Sequence, residues 1–154
     1  MHRFLAAVSL AAVAATAALA QEGDDTPASV EARHGIMENF SFNLSTLGAM
    51  AKGEVAYDAA MAQVAADRLV ILSDLNQDGY WPEGTSSDEV EASRALPAIW
   101  ENMDDFRSGF EDLHEAALTM QGVAGDGQEA IAAEMRALGQ SCGGCHDDYR
   151  MSDD

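Results

Sequence analysis

The sequence predicts an all-α protein, an antiparallel four-helix bundle. Three observations give the fold. Four stretches carry apolar residues at alternating spacings of three and four, which gathers them on one helix face. No stretch has the strict alternation of a half-buried strand. The first two and the last two stretches are joined by short connections, so each pair runs antiparallel.

The chain has 154 residues. It opens on Met1-His2-Arg3, an apolar run from Phe4 to Ala17, and Ala18-Leu19-Ala20 before Gln21. That pattern predicts a signal peptide over 1–20 and a single domain over 21–154. The apolar run is too short for a membrane span; a retained membrane anchor is the competing reading. Export predicts a periplasmic location. Gln21 to Ala28, with Gly23, Asp24, Asp25 and Pro27, reads as a disordered lead-in.

The first helix carries Val30, Arg33, Met37, Phe40, Leu44, Leu47 and Ala51 on one face and ends at Gly53. Arg33 is the odd member. A charge on a buried stripe calls for an anion, unless the side chain snorkels to the surface. The second helix runs from Asp58, a candidate N-cap, to about Leu75, with Met61, Val64, Ala65, Leu69 and Leu72 inward. Between Asn76 and Leu96 the pattern breaks at Gly79, Pro82, Gly84 and Thr85-Ser86-Ser87. A loop of that length in a compact domain is either functional or disordered. Tyr80 and Trp81 predict that part of it packs.

The third helix is predicted to start at Pro97 and to carry Ile99, Met103, Phe106, Phe110, Leu113, Ala117 and Met120, flanked by Trp100. It stops near Ala124-Gly125. Asp126 and Glu129 then form a capping-box pattern. The fourth helix places Ile131, Met135, Leu138, Cys142, Cys145 and Tyr149 on one stripe. His114 reads as a helix-face histidine. Met50, Met61, Met103, Met120 and Met135 read as core packing.

The chemistry is carried by Cys142-Gly143-Gly144-Cys145-His146. C-x-x-C-H is the attachment signature of a c-type haem. Each thiol forms one thioether, and the histidine becomes an axial iron ligand. Export agrees with this, since such haem is attached outside the bacterial cytoplasm. The other readings are a structural zinc site, a redox dithiol, and a disulfide or free thiols. Zinc needs about four ligands, and the chain has two cysteines. A redox dithiol is expected beside a βαβ pattern. Only eight residues follow His146, so any group on the far side of the iron comes from upstream.

With 8 Lys and Arg against 27 Asp and Glu, the formal charge is −19. Such a surface repels nucleic acid and anionic membranes. It suits a basic redox partner protein, or serves solubility alone.

The C-terminal motif followed by Asp147-Asp148-Tyr149-Arg150 resembles the cytochrome c′ family, the class II c-type cytochromes. So do Lys52-Gly53-Glu54 before Tyr57-Asp58-Ala59-Ala60, Pro82-Glu83-Gly84-Thr85, and Ile99-Trp100. The likeness runs from about Val30 to Arg150. It implies an up-down-up-down bundle, usually dimeric, with one covalent haem c. It also implies a high-spin, five-coordinate iron with His146 as the only protein ligand. Arg33 matches the arginine beside the haem propionates. Met37 matches the residue covering the distal face, and Trp81, Phe106 and Leu113 match pocket positions. Arg150 matches the arginine near the proximal histidine. His34 stands where the family often has glutamine or another polar residue.

Met37 separates two mechanisms. Packed over the iron without bonding, it leaves a closed apolar pocket for nitric oxide or carbon monoxide. Bonded to iron, it gives a low-spin, six-coordinate electron carrier with a raised potential. Both arrangements occur among class II relatives. An enzymatic role is not expected, because no distal acid–base pair is evident.

Overall fold

The computed structural model describes residues 26–152. The predicted signal peptide over 1–20 lies outside the described residues, as does most of the predicted lead-in. Five helices follow in order: α1 Ala28–Ala51, α2 Ala59–Ser73, α3 Ala98–Glu101, α4 Met103–Val123 and α5 Gln128–Tyr149. The four long ones form the bundle. α1 packs on α2 and α5, and α4 packs on α2 and α5, while the backbones of the diagonal pairs α1–α4 and α2–α5 stand farther apart. Among the described residues there is no strand, only an isolated antiparallel bridge between Ala95 and Arg150.

Two side chains fix the turns at one end of the bundle. Asp58 caps α2, its carboxylate accepting from the Met61 N–H at 3.0 Å. The Tyr57 hydroxyl donates to Ala124 O at 2.8 Å and accepts from Gly127 N–H at 3.1 Å. One phenol therefore ties the α1–α2 turn to the α4–α5 turn.

Four sequence expectations need correction. The helix expected from Pro97 is broken at Asn102, whose φ of −132° and ψ of 46° are not helical. The Asn102 N–H and side-chain amide both turn back to Ala98 O, at 3.0 and 3.2 Å, which closes α3 as a separate turn. Asp126 does not cap α5. The N-cap is Gly127 at φ 124°, and no side chain caps it. Met61 and Val64 face outward; the buried stripe of α2 is Ala62, Ala65, Ala66, Leu69 and Ser73. Small residues let α2 come close to its neighbours, so size, and not hydrophobicity alone, selects the inward face. Lastly, α2 ends at Ser73, two residues short of Leu75.

The main core joins Phe40, Leu47, Met50, Leu69, Leu113, Met120, Ile131 and Leu138 along the bundle axis. A second cluster of Ile99, Phe106, Phe110 and Tyr149, with Trp81 and Cys145 against it, occupies the end that holds the C-x-x-C-H segment. Phe106 is its hub. Its ring meets those of Trp81, Phe110 and Tyr149 edge-on at 4.6, 5.5 and 5.3 Å.

Candidate functional site

A cavity of about 570 Å³ opens at that aromatic end, between α1, α4, α5 and the long loop. Every residue the sequence assigned to the site lines it: Arg33, His34, Met37, Trp81, Phe106, Leu113, Cys142, Cys145, His146 and Arg150. The walls are largely aromatic and aliphatic. The size suits a cofactor-sized organic group, since such pockets commonly span roughly 300–1,000 Å³.

α5 delivers the reactive side chains. Cys142, Cys145 and His146 are one turn or less apart and share the cavity face. The cysteines are half-buried and not joined as a disulfide. Burial pushes the Cys142 thiol up, against a smaller opposite pull from Ser141. Burial, then Cys142, Asp148 and Asp105, push Cys145 up to about 11. Before attachment both side chains are thus held toward the protonated thiol form. Among the described residues no group of three or more His, Cys, Asp or Glu side chains is placed to hold a metal ion. Desolvation and the Arg150 guanidinium hold the His146 imidazole below its usual value, with Asp147 opposing. A neutral imidazole is the form that ligates metal. Gly109 of α4 lies against this segment; a Cβ there would sit 3.6 Å from Cys145 Sγ.

Tyr149 fixes the end of α5. Its hydroxyl donates to Asp105 Oδ2 at 2.6 Å, which with partial burial pushes its pKa up to about 12. Its carbonyl accepts from Leu96 N–H at 3.0 Å, and Met151 N–H donates to Arg94 O at 2.8 Å. The chain after the helix is thereby clasped to residues 94–96.

Arg33 is only 4% exposed, so it does not snorkel. Its Nη1 donates to Tyr80 O at 3.3 Å and Thr85 Oγ1 at 3.0 Å. Its Nη2 donates to Thr85 O at 2.9 Å and Ser93 Oγ at 3.3 Å. The guanidinium also lies 4.6 Å over the Trp81 ring. Burial lowers its pKa, and no anion among the described residues opposes that. The loop is thus ordered around a cation from α1. Thr85 Oγ1 donates to Pro82 O at 2.7 Å, and the Trp100 indole N–H donates to Trp81 O at 3.1 Å.

Met37 and His34 stand on the exposed side of α1, Met37 with 36% of its surface accessible. Ser93, Arg94 and Ala95 also line the cavity and were not foreseen. They sit in an aperiodic loop, where spacing carries no signal. His114 is half-buried, its Nδ1 2.9 Å from Ser73 Oγ, and is no part of the cavity.

These features fit a covalently tethered haem. Two thiols and an imidazole occupy one edge of a largely apolar, cofactor-sized cavity, and cationic side chains also line it. Fold and site together define a c-type haem protein built on a four-helix bundle. A family profile described as Cytochrome C′ matches residues 28–150. A cytochrome c-554 of Cereibacter sphaeroides is 44% identical over 124 residues, covering 80% of this chain and 93% of that relative. A cytochrome c′ of the same species is 38% identical over 151 residues, covering 98% and 99%. Among solved structures, a cytochrome c′ from Rhodobacter Spheriodes matches with TM-score 0.78 and 38% identity, covering 80% of this chain and 95% of that one. The chain belongs to the cytochrome c′ family and carries covalently attached haem c.

Proposed function

We propose that this chain is a periplasmic haem protein, not an enzyme, that binds small gases such as nitric oxide and carbon monoxide and transfers electrons. Its iron is high-spin and five-coordinate, with His146 the only protein ligand. When bound, the haem supplies a redox-active iron that accepts a small ligand. Cys142 and Cys145 tether it, Trp81, Phe106 and Leu113 wall it, and Met37 lies over the distal side. Arg33, His34 and Arg150 border it. One observation carries the reading: the cavity walls are chiefly apolar, with Trp81, Ile99, Phe106, Phe110 and Leu113, while His34 and Glu38 of α1 are exposed at its rim. Water finds little hold against such walls, and uncharged diatomics are favoured.

A second reading rests on Met37 itself. Its thioether lines the cavity without being packed into the core, so it is free to bond iron. The protein is then a low-spin electron carrier; His34 is the weaker candidate for the same role. Optical and electron-spin spectra of the oxidised and reduced protein separate the two. The proposed function requires a high-spin ferrous spectrum and carbon monoxide binding; a low-spin ferrous spectrum without carbon monoxide binding overturns it. In the five-coordinate case Met37→Ala should speed carbon monoxide association, because less must be displaced. In the six-coordinate case it should convert low spin to high spin.

Export and assembly belong to the same proposal. The purified periplasmic protein should begin at Gln21, by mass. Met61, Val64 and Ile71 form an outward apolar stripe on α2, which suits a homodimer. Among the described residues no helix is long and apolar enough to cross a membrane.

A further inference from the structure

His146 must meet a bound haem at one angle, yet little holds its ring directly. Its side chain is exposed. Among the described residues it has charged neighbours, Arg150 and Asp147, but no hydrogen-bond partner. A ligating histidine is ordinarily oriented by a hydrogen bond from its second ring nitrogen. Here the orientation has to come from the backbone of α5, which is weak at that point. Gly143 and Gly144 precede the histidine, and a glycine inside a helix costs about 1 kcal/mol relative to alanine. No neighbouring element comes within 4 Å of where a Cβ would stand on either.

α4 supplies what the motif lacks, at one point on each side of His146. Before it, Gly109 comes so close that a Cβ there would sit 3.6 Å from Cys145 Sγ. After it, the Tyr149 hydroxyl donates to Asp105 Oδ2 at 2.6 Å. That length is typical of a charge-assisted O–H···O⁻ bond, roughly twice as strong as a neutral one. The Tyr149 ring is 8% exposed and meets Phe106, the residue after Asp105, edge-on. Tyr149 stands three residues beyond His146, a spacing that makes them neighbours on one helix face, and both line the cavity. A rotation of the last turn that swings the imidazole therefore has to break the bond to Asp105.

We propose that the hydrogen bond from Tyr149 to Asp105 is a positioning strap that fixes the angle at which the His146 imidazole enters the cavity. This rests on His146 being the iron ligand, as proposed above. The role is geometric: Asp105 acts through Tyr149 and the helix backbone, not through its charge.

The test reads the iron–histidine stretching band of the ferrous holoprotein by resonance Raman spectroscopy. Tyr149→Phe keeps the ring and loses the hydroxyl, so the band should shift or broaden. Asp105→Ala should do the same. Asp105→Asn removes the charge but keeps an oxygen that accepts from the phenol, and should restore most of the wild-type band. Asp58→Ala, which loosens a helix cap at the other end of the bundle, should leave the band in place. An unmoved band in Asp105→Ala overturns the proposal, whether or not Tyr149→Phe accumulates with haem. So does a band that moves as far in Asp105→Asn as in Asp105→Ala, which would make charge the cause, or one that moves equally in Asp58→Ala, which would make it lost stability. A wild-type protein without the band is six-coordinate and removes the five-coordinate reading alone. The ferric low-spin g values then report the ring orientation in the same variants, with the same outcomes expected.

Discussion

Arg33 shows how one residue links the sequence pattern to the site. Its place on an apolar stripe called for a partner, and the structure supplies neutral loop oxygens, with the face of Trp81 beneath. Arg33→Leu should destabilise the protein by roughly 3 kcal/mol or more, since hydrogen bonds to a charged group contribute about 1.5–3 kcal/mol each. The melting temperature should fall on the order of 10 °C; an unchanged melting curve would show that Arg33 does not hold the loop. Tyr149 gives a pH prediction. Its native pKa, pushed up to about 12 by Asp105, lies above the unfolded value of about 10. The native state therefore favours the neutral phenol. That stability is fully present below about pH 10 and is lost as pH rises toward 12. Between pH 8 and pH 11 the urea midpoint of wild type should fall more than that of Tyr149→Phe. At the attachment site, Cys142→Ala or Cys145→Ala should each remove one thioether, seen as an altered pyridine haemochrome band or loss of covalent haem.

Among the elements, the two caps read from sequence fared differently. Asp58 accepts the Met61 N–H, so Asp58→Ala should cost about 1 kcal/mol. Asp126 makes no cap bond, because the N-cap of α5 falls one residue later, at Gly127. Asp126→Ala should stay within about 0.5 kcal/mol. Gly127→Ala should cost about 1–3 kcal/mol, since φ 124° is strained for any side chain. Urea unfolding of the three variants checks the ranking. The α3–α4 break was illegible for a related reason. Ile99, Met103 and Phe106 keep helical spacing across Asn102, so periodicity alone passes through a turn that the backbone does not continue.

For the molecule as a whole, charge and exposed apolar surface point to different contacts. The formal charge of −19 suits a basic redox partner, and affinity for it should fall with rising salt. The apolar stripe of α2 instead suits a second copy of the chain. Ile71 is 64% exposed there, and Phe42 of α1 is 63% exposed. Sedimentation should show a dimer for wild type and a monomer for Ile71→Glu; an unchanged dimer would place the interface elsewhere.

The sequence by itself determined the four long helices, the C-x-x-C-H segment with Cys142, Cys145 and His146 on the last of them, and the place of Arg33 on the buried face of α1. These follow from local chemistry: helical spacing and a five-residue motif are fixed by neighbours along the chain. Tertiary structure decided which face of α2 is buried, where α5 begins, and what Arg33 holds. It also placed Ser93 and Arg94 at the cavity mouth. Each of these depends on groups far apart in sequence. Arg33 meets Thr85 and Ser93 across 52 and 60 residues, and Arg94 meets Met151 across 57. A loop without periodicity leaves no trace of such pairings in the sequence, because its conformation is set by the cation and the chain terminus it closes around.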